Sequence, residues 1–111
     1  MSKKYLRKNE FRIDINPVHY GKDKRPHPAY ITAKYGHRYK ANSITHSRFV
    51  DGNSTFDVGE NPNKLSKDVR SSRVSRPFWQ KDNMFSENRL NNFRFSNKSR
   101  KKIRKFNNRF K

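Results

Sequence analysis

The sequence predicts a small, mainly β domain that ends in a basic α-helix. Three observations carry that expectation. Phe11, Ile13 and Ile15 alternate with Arg12, Asp14 and Asn16, which is the period of a half-buried strand. Residues 29–34 and 38–46 flank Tyr35-Gly36-His37 and read as a β-hairpin, with Gly36 taking the positive φ of a tight turn most cheaply. Ser99, Ile103, Phe106 and Phe110 recur at helical spacing behind Ser96, a residue suited to cap a helix N-terminus. A chain of 111 residues has room for one such domain.

The elements follow in order. Residues 1–10 are charged and read as a flexible basic N-terminus, ahead of a β-rich domain over 11–95 and a helix over 96–111. Pro17 ends the first strand. Residues 17–28 hold three prolines, Gly21 and the run Lys22-Asp23-Lys24-Arg25, and read as a loop. After the hairpin, Phe49-Val50 and residues 55–58 lie on either side of Asp51-Gly52-Asn53, a turn signal for a second, shorter hairpin. Residues 59–76 read as loop, and the Ser/Arg-rich part at 64–76 fits a solvated loop and a phosphate-tracking arm equally well. Trp79, the only Trp, follows Pro77-Phe78. Such a pair is most often a core anchor, with stacking on a nucleobase as the sharper alternative. Residues 81–92 are polar around Met84, Phe85 and Leu90 and read as a short helical turn.

Charge decides the class of partner. Lys and Arg number 28 against 9 Asp and Glu, a formal net charge of +19. Only 30% of residues are hydrophobic, a composition that borders on intrinsic disorder, but 14% are aromatic, which supports a folded core. Cations that neutralise phosphates release condensed counterions, so a polyanion is the expected partner: RNA first, DNA second. The groups expected to grip it are Arg48, Arg70, Arg73 and Arg76, and on the helix Lys98, Lys101, Lys102, Arg104 and Lys105. No acid lies among the helical cations.

Other classes are disfavoured. No run reaches the apolar length of a membrane span, and no apolar region follows Met1-Ser2-Lys3-Lys4, so the expected setting is cytoplasmic with no membrane partner. Cysteine is absent, the four His lack close metal-pair spacing, and the acids are scattered, so no metal site is expected. No glycine-rich phosphate cradle occurs, so no cofactor is expected.

RNA can still be cut without a metal when its own 2′-OH attacks the adjacent phosphate. The protein then supplies an acid–base group and a cation for the developing charge. Ser43, Thr45, His46, Ser47 and Arg48 cluster at a predicted strand end, and Arg25 and His27 would face them across the hairpin. His46 is the acid–base candidate, because imidazole titrates near neutral pH.

The stretch Arg25-Pro26-His27-Pro28-Ala29-Tyr30-Ile31-Thr32 resembles the R-P-x-x-V-h-S strand of the PemK/MazF-like toxins. Ser43-Ile44-Thr45-His46-Ser47 resembles the strand that follows it there, and residues 55–58 sit where that family has its next strand. The resemblance implies an SH3-like barrel, a homodimer, an acidic antitoxin as protein partner and metal-independent endoribonuclease activity, with Arg25 and Thr45 as the functional pair. Lys22-Asp23-Lys24 stands where the family has a glycine before the Arg, and Ser43 stands where it has a proline before the Thr. Two further classes fit the same residues: a non-catalytic subunit of a ribonucleoprotein complex, and a DNA-binding accessory protein of a mobile element.

Overall fold

The fold is taken from a computed structural model, which describes residues 6–15, 26–68 and 70–110. Among these, the elements are β1 (Phe11–Asp14), β2 (His27–Tyr35), β3 (Arg38–Thr45), β4 (Phe49–Val50), β5 (Asn53–Ser54), β6 (Phe56–Asp57), β7 (Arg73–Val74), β8 (Phe78–Lys81) and α1 (Asn97–Asn107). The protein is mainly β with a C-terminal helix. No helix of the described residues is long and apolar enough to cross a membrane.

Strand β3 is the hub. One edge pairs with β2, which pairs in turn with β1. The other edge is shared: β8 takes Arg38 to Ala41, and β7 takes Ile44 and Thr45 before pairing with β6. The sheet runs as an open path from β1 to β6. Both tight turns form where their residues predict. Gly36 (φ 61°) opens the two-residue turn between β2 and β3. Asp51 (φ 51°) and Gly52 (φ 76°) join β4 to β5, with both central residues at the positive φ of a type I′ turn. The returning strand is Asn53–Ser54 and not the expected 55–58, because a two-residue turn brings Asn53 straight back beside Val50 and leaves Phe56–Asp57 to pair with β7.

Each face of the sheet carries its own core. On one face Phe11, Tyr30, Ile44 and Val74 pack with Val58 and Phe95 beneath Ile103 and Phe106 of α1. On the other, Ala29, Ile31, Tyr39 and Ala41 pack with Leu6 and Phe85, and Phe78 lies against them. The chain before β1 belongs to this second core: Leu6 is buried, and Asn9 N and Glu10 O bond to the Ile31 backbone.

Three expectations need correction. In β1 the alternation does not sort residues into core and solvent: Ile15 is 48% exposed while Arg12 and Asp14 are buried. Residues 84–90 run along the outer edge of β1 through Ile15 N–Met84 O, Ser86 N–Ile13 O and Leu90 N–Phe11 O. Arg12 is satisfied there by the carbonyls of Ser86 and Glu87 and by Glu10. The loop expected over 59–76 contains β7, because two residues are enough to pair when β3 offers a free edge. Trp79 is 47% exposed, so Phe78, not Trp79, is the core anchor of β8.

Helix α1 starts where its cap predicts. Ser96 Oγ accepts from Ser99 N at 3.2 Å, and Glu60 adds a second cap by accepting from both Ser96 N (2.8 Å) and Ser96 Oγ (2.7 Å). Deeper in the interface the Asn42 and Asn107 side-chain amides pair reciprocally at 2.8 and 3.0 Å, and Asn42 Nδ2 also donates to Ser75 O at 2.8 Å. Both amides are buried.

Removing either amide strands the other away from water. Asn42→Ala and Asn107→Ala are each expected to lower unfolding stability by about 1–3 kcal/mol. In urea denaturation the double variant should cost clearly less than the sum of the two; strict additivity would mean that the pair is not coupled.

Burial alone would raise the Glu60 carboxyl, but hydrogen bonds from Ser99, Ser96 and Lys64 outweigh it and hold the group at about 2, against an ordinary 4.5. Its contribution is therefore present above pH 4.5 and is lost as pH falls from there toward about 2. Glu60→Gln should cost about 1 kcal/mol at neutral pH, a partly solvated hydrogen-bonded charge being worth no more. Chemical denaturation from pH 6 to 2 should show a shallower acid loss in this variant than in the wild type.

Candidate nucleic-acid interface

Most of the residues singled out by sequence fall into two regions, one in which cations are paired with acids and one in which they are not. The first is the corner where β3, β6 and β7 meet. Thr45 stands opposite Arg73, and Arg73 stands opposite Asp57, so one row crosses three strands. Arg73 is fully engaged: Nε donates to Thr55 Oγ1 at 2.7 Å, a terminal nitrogen donates to Thr55 O at 2.8 Å, and the other lies 3.7 Å from Asp57. Ser71 Oγ donates to Asp57 at 2.8 Å and holds that carboxyl below its ordinary value.

His46 lies beside this row. Its Nδ1 is 3.3 Å from Ser71 O, and because a carbonyl only accepts, that nitrogen carries the hydrogen. Nε2 is 3.7 Å from Asp68. Arg70 grips Asp68 through a fork of hydrogen bonds and holds its carboxyl well below the usual range. Thr45 Oγ1 accepts from Ser47 N at 3.0 Å. Thr45 and His46 line a cavity of about 210 Å³ with Asn61, Asn63, Ser66 and Phe93, and no described Lys or Arg enters its lining. Arg25 lies outside the described residues. Arg48 is exposed in the turn after β3, and Arg76 lies over the Phe110 ring at 4.7 Å.

The second region is α1 and the surface beside it. Ser99, Ile103, Phe106 and Asn107 face the sheet. Lys98, Lys101, Lys102, Arg104 and Lys105 are exposed. No Lys or Arg of α1 forms an ion pair with a described acid. Lys98/Lys102, Arg100/Arg104 and Lys101/Lys105 are like charges one turn apart, each worth roughly 0.2–0.5 kcal/mol against the helix. Burial of Ile103 and Phe106 offsets that repulsion.

Arg100 and Arg104 lie on the flank of α1 toward the chain before β1, and a groove opens there. One end, of about 330 Å³, is lined by Arg7, Lys8, Arg89, Arg94 and Arg100. The other, of about 430 Å³, continues past Lys8 and Arg100 to Lys40 and Arg104 over a floor of Tyr30, Thr32 and Ala33. The lone acid in this lining is Glu10, which is taken up by Arg7 N and the Arg12 guanidinium. Arg100 Nε is buried and has no hydrogen-bond partner among the described residues. Burial raises the Tyr30 hydroxyl to about 12, with Arg100 and Arg104 opposing that shift, so it remains a neutral donor to Asn9.

The structure therefore gathers Thr45, His46, Arg70 and Arg73 at the corner and Lys98 to Lys105 on the helix, and of the helix set Lys102 reaches toward the corner, donating to Val58 O at 3.5 Å beside Asp57. Sequence reading missed Arg7, Lys8, Lys40, Arg89, Arg94 and Arg100 as a group. The signal available for Arg100 was its position one turn before Arg104, beside the apolar stripe. No protein-family model, curated protein or solved structure matches this chain.

Unrelieved cationic repulsion has a thermal consequence. The melting temperature should rise by several degrees as NaCl is raised from about 10 to about 500 mM, because screening shortens the reach of the +19 charge from ~30 Å to only a few Å. A flat or falling profile would show that the cations are compensated within the fold.

Proposed function

We propose that this protein binds nucleic acid, with RNA the favoured form, through α1 and the groove beside it. The observation that carries the reading is that seven basic side chains converge on one groove whose only acid, among the described residues, is already engaged. Acid–base pairs use up Arg70 and Arg73 at the corner where β3, β6 and β7 meet. In the groove and on α1, guanidinium and ammonium groups are left to phosphates. Arg supplies a forked donor set that matches phosphate oxygens, and Lys supplies point charges along the backbone. Protein partners in a ribonucleoprotein complex fit the same surface, since a bound polyanion relieves the repulsion along α1.

A second reading is a metal-independent endoribonuclease of the PemK/MazF-like kind on an SH3-like barrel. It has one observation in its favour: Thr45 and His46 share a cavity of about 210 Å³, where a hydroxyl and an imidazole sit side by side. Phosphate-charge stabilisation would then fall to Arg25. Binding has the stronger support, because the lining of that cavity includes no described cation.

One set of measurements tests both. Fluorescence anisotropy with a labelled RNA should give a steep inverse dependence of affinity on salt. Replacing Lys98, Lys101 and Lys105 together with Ala should reduce the log–log slope by roughly 2, at about 0.7 per lost contact to a single strand. An unchanged slope would exclude the Lys98, Lys101 and Lys105 face of α1 as a phosphate contact and leave only the groove side with Arg100 and Arg104. The same RNA held with EDTA should stay intact; cleavage that disappears in Thr45→Ala and His46→Ala would favour the nuclease.

A further inference from the structure

The cross-strand register places Trp79 beside the groove. Ala33 stands opposite Lys40, and Lys40 stands opposite Trp79, so the three side chains share one face of the sheet. Directly opposed residues have Cβ atoms about 4.5–5.5 Å apart. Ala33 and Lys40 line the wider end of the groove, and Trp79 is the next residue across the sheet from Lys40, just beyond that lining. It is the face on which α1 packs, since Asn42, two residues along β3 from Lys40, bonds to Asn107. On the opposite face Phe78 enters the second core, so β8 divides its aromatic pair between a buried anchor and an exposed ring.

About half of the Trp79 indole is open to water, and it sits at the end of a cationic track. The track runs from Lys40 through Arg104 and Arg100 to Lys8. Non-specific single-strand sites combine these two parts, a basic groove that follows the phosphates and an aromatic ring on which a base stacks. A duplex keeps its bases stacked on each other and offers no free π-face at this position.

We propose that the groove takes single-stranded nucleic acid, with one base stacked on Trp79 and the following phosphates lying along Lys40, Arg104 and Arg100. This rests on the nucleic-acid-binding reading above and adds the form of the strand and the residue that meets a base.

Trp79 is the sole tryptophan, so intrinsic fluorescence reports on it alone. Titration with oligo(U) and with oligo(dT) of equal length should quench that emission, and a duplex of the same length should quench it far less. Trp79→Ala should weaken single-strand binding about 5- to 150-fold, the range for losing one stacked base. Trp79→Phe should recover part of the loss. Circular dichroism checks that both variants keep the fold, and the wild-type titration needs no variant. Tight binding without quenching, equal quenching by duplex, or unchanged affinity in a folded Trp79→Ala would overturn the stacking proposal and leave the broader reading standing. Failure of every RNA and DNA to bind at low salt would overturn both. A preference between oligo(U) and oligo(dT) identifies which strand is recognised.

Discussion

The Asn42–Asn107 amide pair holds the two halves of this molecule in register. It joins the central strand to the last turn of the helix across the middle of a buried interface, and Asn42 also binds the Ser75 carbonyl at the start of the β7–β8 connection. Apolar contacts between Ile44, Ile103 and Phe106 drive the helix onto the sheet but tolerate sliding. A reciprocal amide pair does not, since a small shift leaves buried donors and acceptors unmatched in a low-dielectric setting. The rotation and depth of α1 follow from it, and with them the groove that Arg100 and Arg104 overhang.

Charge is placed by the same geometry. A domain with so large a cationic excess cannot pair its bases with its few acids. The acids that are available secure structure: Glu60 caps α1, Glu10 steadies Arg12, and Asp57 and Asp68 hold Arg73 and Arg70. The remaining cations are pushed to the helix surface and the groove rim. There repulsion is tolerated in water and relieved by a polyanion. The corner around His46 and the surface around α1 thus draw on similar residue types and reach opposite electrostatic states.

The sheet adds a chemical asymmetry to this picture. Because the β8 register sets Phe78 opposite Ala41 and Trp79 opposite Lys40, one of two adjacent aromatics enters a core and the other is displayed beside cations. Phe78 and Trp79 are neighbours in sequence, and the pleat alone gives them different roles.

The sequence by itself determined what is local. The turn at Gly36, the turn at Asp51-Gly52, the Ser96 cap and the apolar stripe of α1 each depend on residues within a few positions of one another, and each forms as expected, although the strand returning from Asp51-Gly52 is Asn53–Ser54 and not 55–58. The polyanion-seeking charge was equally legible, because it is a sum. Tertiary structure alone decided the rest. Two-residue strands such as β7 carry no period, and β7 exists because β3 has an edge to offer. Arg12 and Asp14 look solvent-facing until residues 84–90 cover them. Thr45 and His46 do share a cavity, while of the cations expected with them Arg48 is exposed outside its lining and Arg25 lies outside the described residues. Lys8, Lys40, Arg94 and Arg100 come from four separate segments, and no spacing rule links them. They meet because backbone pairing and one buried amide pair bring distant parts of the chain to the same face.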